Sequence, residues 1–248
     1  MSTPIARPGL LRQALATRVV VADGAMGTML QAANPTLEDF QNHEGCNEIL
    51  NVGRPDIVRS VHNEYLTAGV DAIETNTFGA NWSNLADYGI EDRIYELAFA
   101  GGKIAREAAD AFSTEEKPRF VLGSLGPGTK LPSLGHTTYE NLKIAYYTAA
   151  KGLSDSGCDA LLVETSQDLL QVKAAVNGCR QAIREADRDI VLIAQVTVET
   201  TGTMLLGSEI GAALNTLEPM GIDLIGLNCA TGPTEMSEHL RYLSKNAK

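Results

Sequence analysis

The stretch SGCDALLVET, residues 156–165, contains the parts of one buried βα unit. Gly157 can end a helix in the left-handed conformation. Residues 160–163 are a short aliphatic run, typical of a strand buried on both faces of a parallel sheet. Glu164 follows directly, where such a strand ends. The stretch therefore predicts a tight turn, a buried strand and a polar group at the strand's carboxyl end.

This pattern repeats along the chain. Similar glycine turns, AGVD at residues 68–71 and MGID at residues 220–223, precede two other aliphatic runs. Aliphatic runs alternate with helical patterns, which is typical of βα units and a parallel sheet. The runs occupy residues 19–22, 72–75, 120–123, 160–163, 190–198 and 224–227, and the helical patterns residues 55–68, 93–112, 139–154 and 169–186. We therefore expect an α/β fold of the (β/α)8 TIM-barrel type, with about six of the eight βα units present.

Composition agrees with one domain over residues 1–248. Hydrophobic residues make up 44% of the chain and aromatic residues 5%, so the core is expected to be aliphatic. The net charge of -11 argues against nucleic acid as a partner, because a phosphate backbone would be repelled. No apolar run is long enough for a membrane span. Residues 1–17 resemble a capping helix rather than a signal peptide, and four scattered cysteines are typical of a reducing cytoplasm.

Polar residues repeatedly follow the aliphatic runs. They are Asp23, Glu74, Asn76, Ser124, Glu164, Asn228 and Cys229, and in a barrel the ends of the strands converge on one rim. Asp23 also opens the glycine-containing loop DGAMGT, whose backbone N–H groups could bind a carboxylate. These residues are therefore the candidates for chemistry.

Each candidate also has a structural interpretation. Asp23 could cap the turn that follows its strand. Glu164 suits binding of an ammonium group or general-base catalysis, but could instead form a salt bridge across the rim. Cys229 could be a nucleophile, a soft-metal ligand or an inert buried thiol. No CxxC or HxxxH pair accompanies it, so the residues by themselves assign neither a catalytic group nor a complete metal site.

Several separated motifs together resemble one family. They lie in the expected order from about residue 10 to the end of the chain. They are DGAMGTMLQ at residues 23–31, RPDIV at 54–58, HNEY at 62–65, IETNTFG at 73–79, GSLGP at 123–127, VET at 163–165 and GLNC at 226–229. This set resembles the N-terminal homocysteine-binding barrel of the cobalamin-dependent methionine synthases. HNEY and ETNTF favour this branch over relatives that use betaine or S-methylmethionine.

The resemblance implies a methyltransferase. In that family, zinc held by three cysteines binds the sulfur of homocysteine, and the thiolate takes the methyl group of methylcobalamin to give methionine. Methyltetrahydrofolate then remethylates cobalamin, and separate modules of the enzyme bind folate and cobalamin. Cys229 matches the first zinc cysteine. Asp23 and Glu164 match the residues that hold the ammonium group, with the Gly24 backbone near the carboxylate and with Asn76 and Asn228 as neighbours.

The sequence departs from the family at the metal site. The other two zinc ligands of the family form a Cys-Cys pair after the eighth strand, and this sequence contains no such pair. We therefore expect a barrel without its last two βα units, an incomplete zinc site and impaired catalysis. Open strand edges would also favour a dimer. Two alternatives stay open: a stand-alone homocysteine methyltransferase with another methyl donor, and a non-catalytic module that holds homocysteine or a partner.

Overall fold

A computed structural model describes residues 9–248 and contains one sheet of five strands. The strands are β1 (Ala72–Glu74), β2 (Phe120–Leu125), β3 (Ala160–Ser166), β4 (Val191–Val196) and β5 (Leu224–Leu227). They lie in the order of the chain, and each neighbouring pair is parallel. A doubly wound sheet would reverse its strand order at one point, whereas a βα barrel adds every strand on the same side. The predicted α/β fold of the barrel type is confirmed.

Helices connect the strands. They are α1 (Leu10–Thr17), α2 (Gly27–Ala32), α3 (Leu50–Gly53), α4 (Pro55–Ala68), α5 (Trp82–Ala86), α6 (Ile94–Phe112), α7 (Tyr139–Ser156), α8 (Leu169–Ala186), α9 (Ile210–Leu217) and α10 (Pro233–Asn246). Short 3-10 turns lie at Asn47–Ile49, Glu91–Arg93, Pro132–Leu134 and Glu218–Met220. Within residues 9–248, none of these helices combines the length and the apolar character that crossing a membrane requires.

The predicted helices agree closely with the structure. The bounds of α4 and α8 coincide with the predicted residues 55–68 and 169–186. Gly69, Gly157 and Gly221 all have the predicted left-handed backbone, with φ values of 104°, 102° and 73°. The predicted helix over residues 1–17 is present as α1, while its first eight residues lie outside the described part of the chain.

The first predicted strand is the exception, because residues 19–22 do not form a regular strand. Ala22 makes a single bridge to Ala72, and the Val21 carbonyl accepts hydrogen bonds from the N–H groups of Asp71 and Ala72. The segment therefore runs beside β1, and no other strand of residues 9–248 pairs with its opposite edge. Its outward side chains are uncovered: Val19 is 83% exposed and Val21 54% exposed. The count of six strands was too high by one.

The two faces of the sheet are buried differently. Outward side chains such as Ile73, Val121 and Leu161 belong to the large aliphatic cluster formed with α6, α7 and α8. Inward side chains such as Phe120 and Leu162 form a smaller cluster with Leu11 and Ala14 of α1. Helix α1 therefore packs against the inner face of the sheet, near the bottom of the barrel.

Aspartates that follow the three glycine turns hold neighbouring strands together. Asp71 accepts a hydrogen bond from the Val21 N–H at 2.9 Å, Asp159 from Val121 at 2.8 Å and Asp223 from Leu192 at 2.8 Å. Each carboxylate also has an arginine partner: Arg18 contacts Asp71, Arg106 contacts Asp159 and Arg12 contacts Asp223. These bonds fix the register at the amino ends of the strands, opposite the rim where the candidate residues lie.

We predict that Asp159→Ala lowers the free energy of unfolding by about 3–5 kcal/mol. The substitution removes the carboxylate from a buried pair with Arg106, whose nitrogen lies 2.7 Å away, and leaves the Val121 N–H without this acceptor. Urea unfolding measures the change. Glu140→Ala is the control, because its pair with Lys143 is exposed and should contribute less than about 1 kcal/mol. An equally small loss for Asp159→Ala would contradict the structural role of the aspartate.

Candidate functional site

A cavity of about 630 Å³ opens at the carboxyl ends of the strands. Four acidic side chains line it, from Asp23, Glu48, Glu74 and Glu164. No lysine, arginine or histidine of the described residues lines it. The other polar lining residues are Asn47, Thr75, Asn76, Ser124, Gln195, Asn228 and Cys229. The structure therefore brings the predicted rim residues together in one strongly acidic cavity.

Asp23 lies at the end of the segment that bridges to β1. Both of its carboxylate oxygens accept from the Glu74 N–H, at 3.0 and 3.1 Å. Burial raises the pKa of Asp23 to about 7, and the charge of Glu164 acts in the same direction, while the backbone hydrogen bonds oppose the shift. The predicted turn-capping role and a ligand-binding role are both compatible with this position.

Glu164 lies in β3 and is 8% exposed. One oxygen accepts from the Ser124 hydroxyl at 2.6 Å, and the other accepts from the Asn228 side-chain amide at 3.1 Å. Burial raises its pKa, and the hydrogen bond from Ser124 opposes that effect. The salt bridge considered for this residue is not formed with any of the described residues. Its carboxylate is held by neutral donors at the cavity wall.

Glu74 ends β1, as the sequence predicts, and contributes a third carboxyl group, although no binding role was assigned to it from the sequence. Burial raises its pKa, and the charges of Glu164 and Asp23 add to that shift. No donor within the described part of the chain forms a hydrogen bond with its carboxyl group. Two positions before Glu74, Ala72 packs in the inner cluster. Since alternate residues of a strand share a face, this alternation was the signal that could have identified Glu74.

Asn228 binds two adjacent residues of β3, Glu164 and Thr165. Its side-chain oxygen accepts from the Thr165 N–H at 2.8 Å, and its amide donates to Glu164 and to the Thr165 hydroxyl. The same amide lies 3.5 Å from the Cys229 sulfur. Asn228 therefore spans the gap between a buried carboxylate and an exposed thiol.

The backbone around this contact is strained. Thr165, Cys229 and Ala230 have φ values of 56°, 61° and 58°, in the left-handed region that non-glycine residues rarely adopt. The hydrogen bond from the Thr165 N–H to the Asn228 side chain links one strained residue to the residue that directly precedes the other two. Strain of this kind is often found at functional sites, where the surrounding structure holds it in place. Sequence periodicity contains no signal for it.

Asn76 is at the predicted position, but its amide is used within the protein. It donates to the Asn47 carbonyl at 2.8 Å and to the Asn51 side-chain oxygen at 3.0 Å. Asn51 in turn donates to the carbonyls of Asn76 and Leu97. These bonds anchor the loop before α3 to the end of β1, and they build the cavity wall.

Glu48 and Gln195 also line the cavity, and neither was predicted from the sequence. Glu48 is buried, its carboxylate accepts from the Gly79 N–H at 2.7 Å, and burial raises its pKa. It lies in a long loop with no periodic pattern, so nothing in the sequence distinguished it. Gln195 lies in β4 and faces the cavity, as alternation from the inward residue Ile193 would have indicated.

The loop after Asp23 presents backbone donors to the cavity. The N–H groups of residues 24–27 donate to no acceptor within the described residues, and Gly24 and Gly27 both line the cavity. The Tyr65 hydroxyl donates to the Ala25 carbonyl at 2.9 Å and lies 3.3 Å from the point where a Cβ at Gly24 would stand. Tyr65 therefore supports the loop from behind and leaves its N–H groups available.

The cysteines are not gathered around this cavity. Cys229 is exposed and lines it, whereas Cys46, Cys158 and Cys179 are buried. Burial raises the pKa of the Cys46 thiol to about 11, and its sulfur donates to Glu48 at 3.8 Å. Among residues 9–248, no group of three or more histidine, cysteine or acidic side chains is arranged to hold a metal ion. The donor set present does not fit a complete zinc site.

The arrangement favours a cationic organic ligand with an anionic end. Buried carboxyl groups without a basic neighbour are stabilised in their charged form by a cation. The unpaired N–H groups of residues 24–27 can donate hydrogen bonds to a carboxylate. An α-amino acid carries both groups a few ångströms apart, and the exposed Cys229 thiol lies at the same cavity.

Comparison with protein families and curated proteins gives a consistent result. A family model described as Homocysteine S-methyltransferase matches residues 20–248. Two curated relatives carry the name Methionine synthase. The protein of Mycobacterium tuberculosis (strain ATCC 25618 / H37Rv) is 62% identical over 238 residues, and that of Mycobacterium leprae (strain TN) is 61% identical over 238 residues. Each alignment covers 96% of this chain but 20% of the relative, so the chain spans about a fifth of their length.

Solved structures show the same fold. The metallated form of the homocysteine methyltransferase MmuM from Escherichia coli aligns with a TM-score of 0.78 at 22% identity, over 95% of this chain and 83% of that chain. The apo form of the same protein aligns with a TM-score of 0.72 at 20% identity, over 95% and 81% of the two chains. At such low identity the likeness concerns the barrel fold alone.

The raised pKa of Asp23 predicts how stability depends on pH. Between the ordinary value of 3.8 and the folded value of about 7, the folded chain binds more protons than the unfolded chain. The Asp23 carboxyl group therefore lowers the free energy of unfolding as the pH rises through this window, by up to ~1.4 kcal/mol per pH unit. Above the window its effect is constant. Asp23→Asn should remove the part of the slope that Asp23 contributes and so make the loss of stability with rising pH shallower than in the wild type.

Urea unfolding of the ligand-free protein at several pH values between about 5 and 8 tests this expectation. The exposed Asp87→Asn is the matched control and should leave the slope of the wild type unchanged. If Asp23→Asn and wild type lose stability in parallel as the pH rises, the carboxyl group of Asp23 is not destabilised by its burial.

Proposed function

The chain belongs to the homocysteine S-methyltransferase family, and on that premise we propose that its acidic cavity binds homocysteine as the methyl acceptor of a methyltransferase. The observation that carries the proposal is the set of buried carboxyl groups at the cavity wall, with no basic side chain of the described residues to neutralise them. The ammonium group of an amino acid would supply the missing positive charge.

We assign the ammonium group of homocysteine to Asp23 and Glu164. Glu164 is held by Ser124 and Asn228, so its carboxylate is oriented before the ligand arrives. The carboxylate of homocysteine would bind the free N–H groups that begin at Gly24. The thiol would then extend towards Cys229. The Cys229 sulfur lies 3.5 Å from the Asn228 side-chain amide, which also donates to Glu164.

Asn76 and Asn228 take positioning roles in this proposal. The Asn76 side-chain nitrogen donates both of its hydrogens within the protein, to Asn47 and Asn51, so we assign Asn76 to the shape of the wall. Asn228 holds Glu164 and the strained residue Thr165 in fixed relation. Its effect on homocysteine would therefore be exerted through these two neighbours.

Zinc enters the proposal through one residue of the cavity, Cys229. The family resemblance implies zinc bound by three cysteines, and Cys229 is the one cysteine of the described residues that lines the cavity. We propose Cys229 as one zinc ligand. A zinc site with three thiolates and one substrate position needs two further thiolates from outside residues 9–248. We therefore derive no step of the reaction through zinc from this chain.

The methyl donor is also a proposal. The identity of 62% to a methionine synthase favours methylcobalamin, with cobalamin- and folate-binding modules as partners in a longer enzyme. A stand-alone enzyme with another methyl donor, or a module that binds without catalysis, is less favoured by the extent of that similarity. The predicted dimer through open sheet edges stays a prediction, supported by the exposed Val21 on one edge and Leu224 on the other.

We predict that Glu164→Gln weakens homocysteine binding about 10- to 100-fold, because a hydrogen bond between two charged groups is replaced by one to a neutral amide. Isothermal titration calorimetry near pH 8 measures the affinity. Glu116→Gln is the control. Glu116 is exposed in the loop before β2, so this variant should bind homocysteine as the wild type does. Unchanged binding by Glu164→Gln would remove the residue from the proposed ammonium site.

We also predict that the polypeptide of residues 1–248 retains less than one zinc per chain after gel filtration, because a single thiol does not hold the ion. Elemental analysis of wild type and Cys229→Ser should give the same low content. One zinc per chain in the wild type, lost in Cys229→Ser, would contradict the prediction and indicate ligands that the cavity geometry does not contain.

A further inference from the structure

Three of the four carboxyl groups at the cavity, those of Asp23, Glu74 and Glu164, lie at the strand ends, but their hydrogen-bonding environments differ. Asp23 accepts two hydrogen bonds from a backbone N–H, and Glu164 accepts one from a hydroxyl and one from an amide. The Glu74 carboxyl group accepts none from the described residues. Hydrogen bonds donated to a carboxylate stabilise its charged form. Of the three groups, Glu74 is therefore the one whose charge the protein does least to stabilise.

The remaining surroundings of Glu74 offer no compensating positive charge. No lysine, arginine or histidine of residues 9–248 lines the cavity. The titratable groups that face this space from the neighbouring elements are all acidic or neutral. They are Asp23 from the segment beside β1, Glu164 from β3, Glu48 from the loop before α3 and Cys229 after β5. Tyr65 lies behind the loop that follows Asp23, and the buried Cys46 thiol contacts Glu48. Several carboxylates in one poorly solvated space cannot all ionise without a cation.

We propose that Glu74 carries a proton while the cavity is empty and releases it to solvent when the ammonium group of an amino acid enters. The proposal rests on the function proposed above and adds a residue to it. With the proton in place, the empty site contains one negative charge fewer. When the ligand arrives, its positive charge replaces the proton, so the binding of an amino acid becomes dependent on pH.

The physical cause is that one positive charge, the proton on Glu74, is exchanged for another, the ammonium group of the ligand, among the same carboxyl groups. The shift in the pKa of Glu74, caused by burial and by the charges of Glu164 and Asp23, acts in the same direction as the geometry. An analogue of homocysteine with a hydroxyl group in place of the ammonium would not displace the proton. Glu74 would therefore help the site to distinguish amino acids from analogues that lack the ammonium group above the titration midpoint.

The first experiment uses the ligand-free protein. A carboxyl-carbon NMR titration from about pH 5 to pH 9 compares wild type with Glu74→Gln, with Glu116→Gln as the control for an exposed carboxyl. We expect one carboxyl signal of the wild type to titrate near neutral pH or above and to be absent from Glu74→Gln. If Glu74 titrates near the ordinary glutamate value of ~4.3, the proposal is overturned whether or not homocysteine binds.

The second experiment measures proton release. Calorimetric titrations with homocysteine in buffers of different ionisation enthalpy should give about one proton released per ligand near pH 7 for wild type, and about half of that or less for Glu74→Gln. The association constant of the wild type should rise by up to about tenfold per pH unit below the midpoint, with a shallower rise for the variant. Glu74→Asp, which keeps a carboxyl group, should restore most of the proton release.

These results separate the two proposals. Homocysteine binding without proton release would overturn the role of Glu74 and leave the proposed function intact. Absence of binding by the folded wild type at any pH would overturn the proposed function. The proposed release of a proton to solvent on amino-acid binding would then be overturned as well. The NMR titration would still decide the charge state of Glu74 in the empty cavity.

Discussion

The register of the parallel strands is the constraint on which the site depends, and it is set at the opposite end of the sheet. Asp71, Asp159 and Asp223 each bind the backbone N–H of the strand before them, and each is paired with an arginine. Side chains alternate along a strand, so a slip of one residue would turn the inward groups outward. The carboxyl groups at the rim share a cavity because these aspartates hold the strands in register.

The rim itself is arranged at a cost to stability. Burial raises the pKa values of Asp23, Glu74 and Glu164, which means that their charged forms are less favourable in the folded chain than in water. Cys229 and Thr165 add backbone strain in the same region. Burial of the aliphatic core between the sheet and its outer helices offsets this loss of free energy. A cationic ligand would offset a further part of it. Such a division between a stabilising lower face and a strained upper face is typical of barrel enzymes.

Much of the fold could be read from local patterns. Continuous aliphatic runs and helical periodicity located β1 to β5 and gave the bounds of α4 and α8, because burial imposes these patterns directly. The family resemblance, based on motifs spread along the chain, is confirmed by the match over residues 20–248. The first strand was overestimated, since an aliphatic run does not reveal how many neighbours a strand will have. Residues 19–22 have one neighbour and form a single bridge.

The sequence by itself determined the class of fold, the glycine turns and the positions of Asp23, Glu164, Asn228 and Cys229 at strand ends. These features depend on residues that are adjacent along the chain. Only the tertiary structure decided that Glu48 joins the same cavity, that the Asn76 amide nitrogen binds the wall, and that the left-handed backbone at Cys229 is held through Asn228. Those properties arise from contacts between residues tens of positions apart, and the electrostatics of the cavity follow from burial that no local pattern contains.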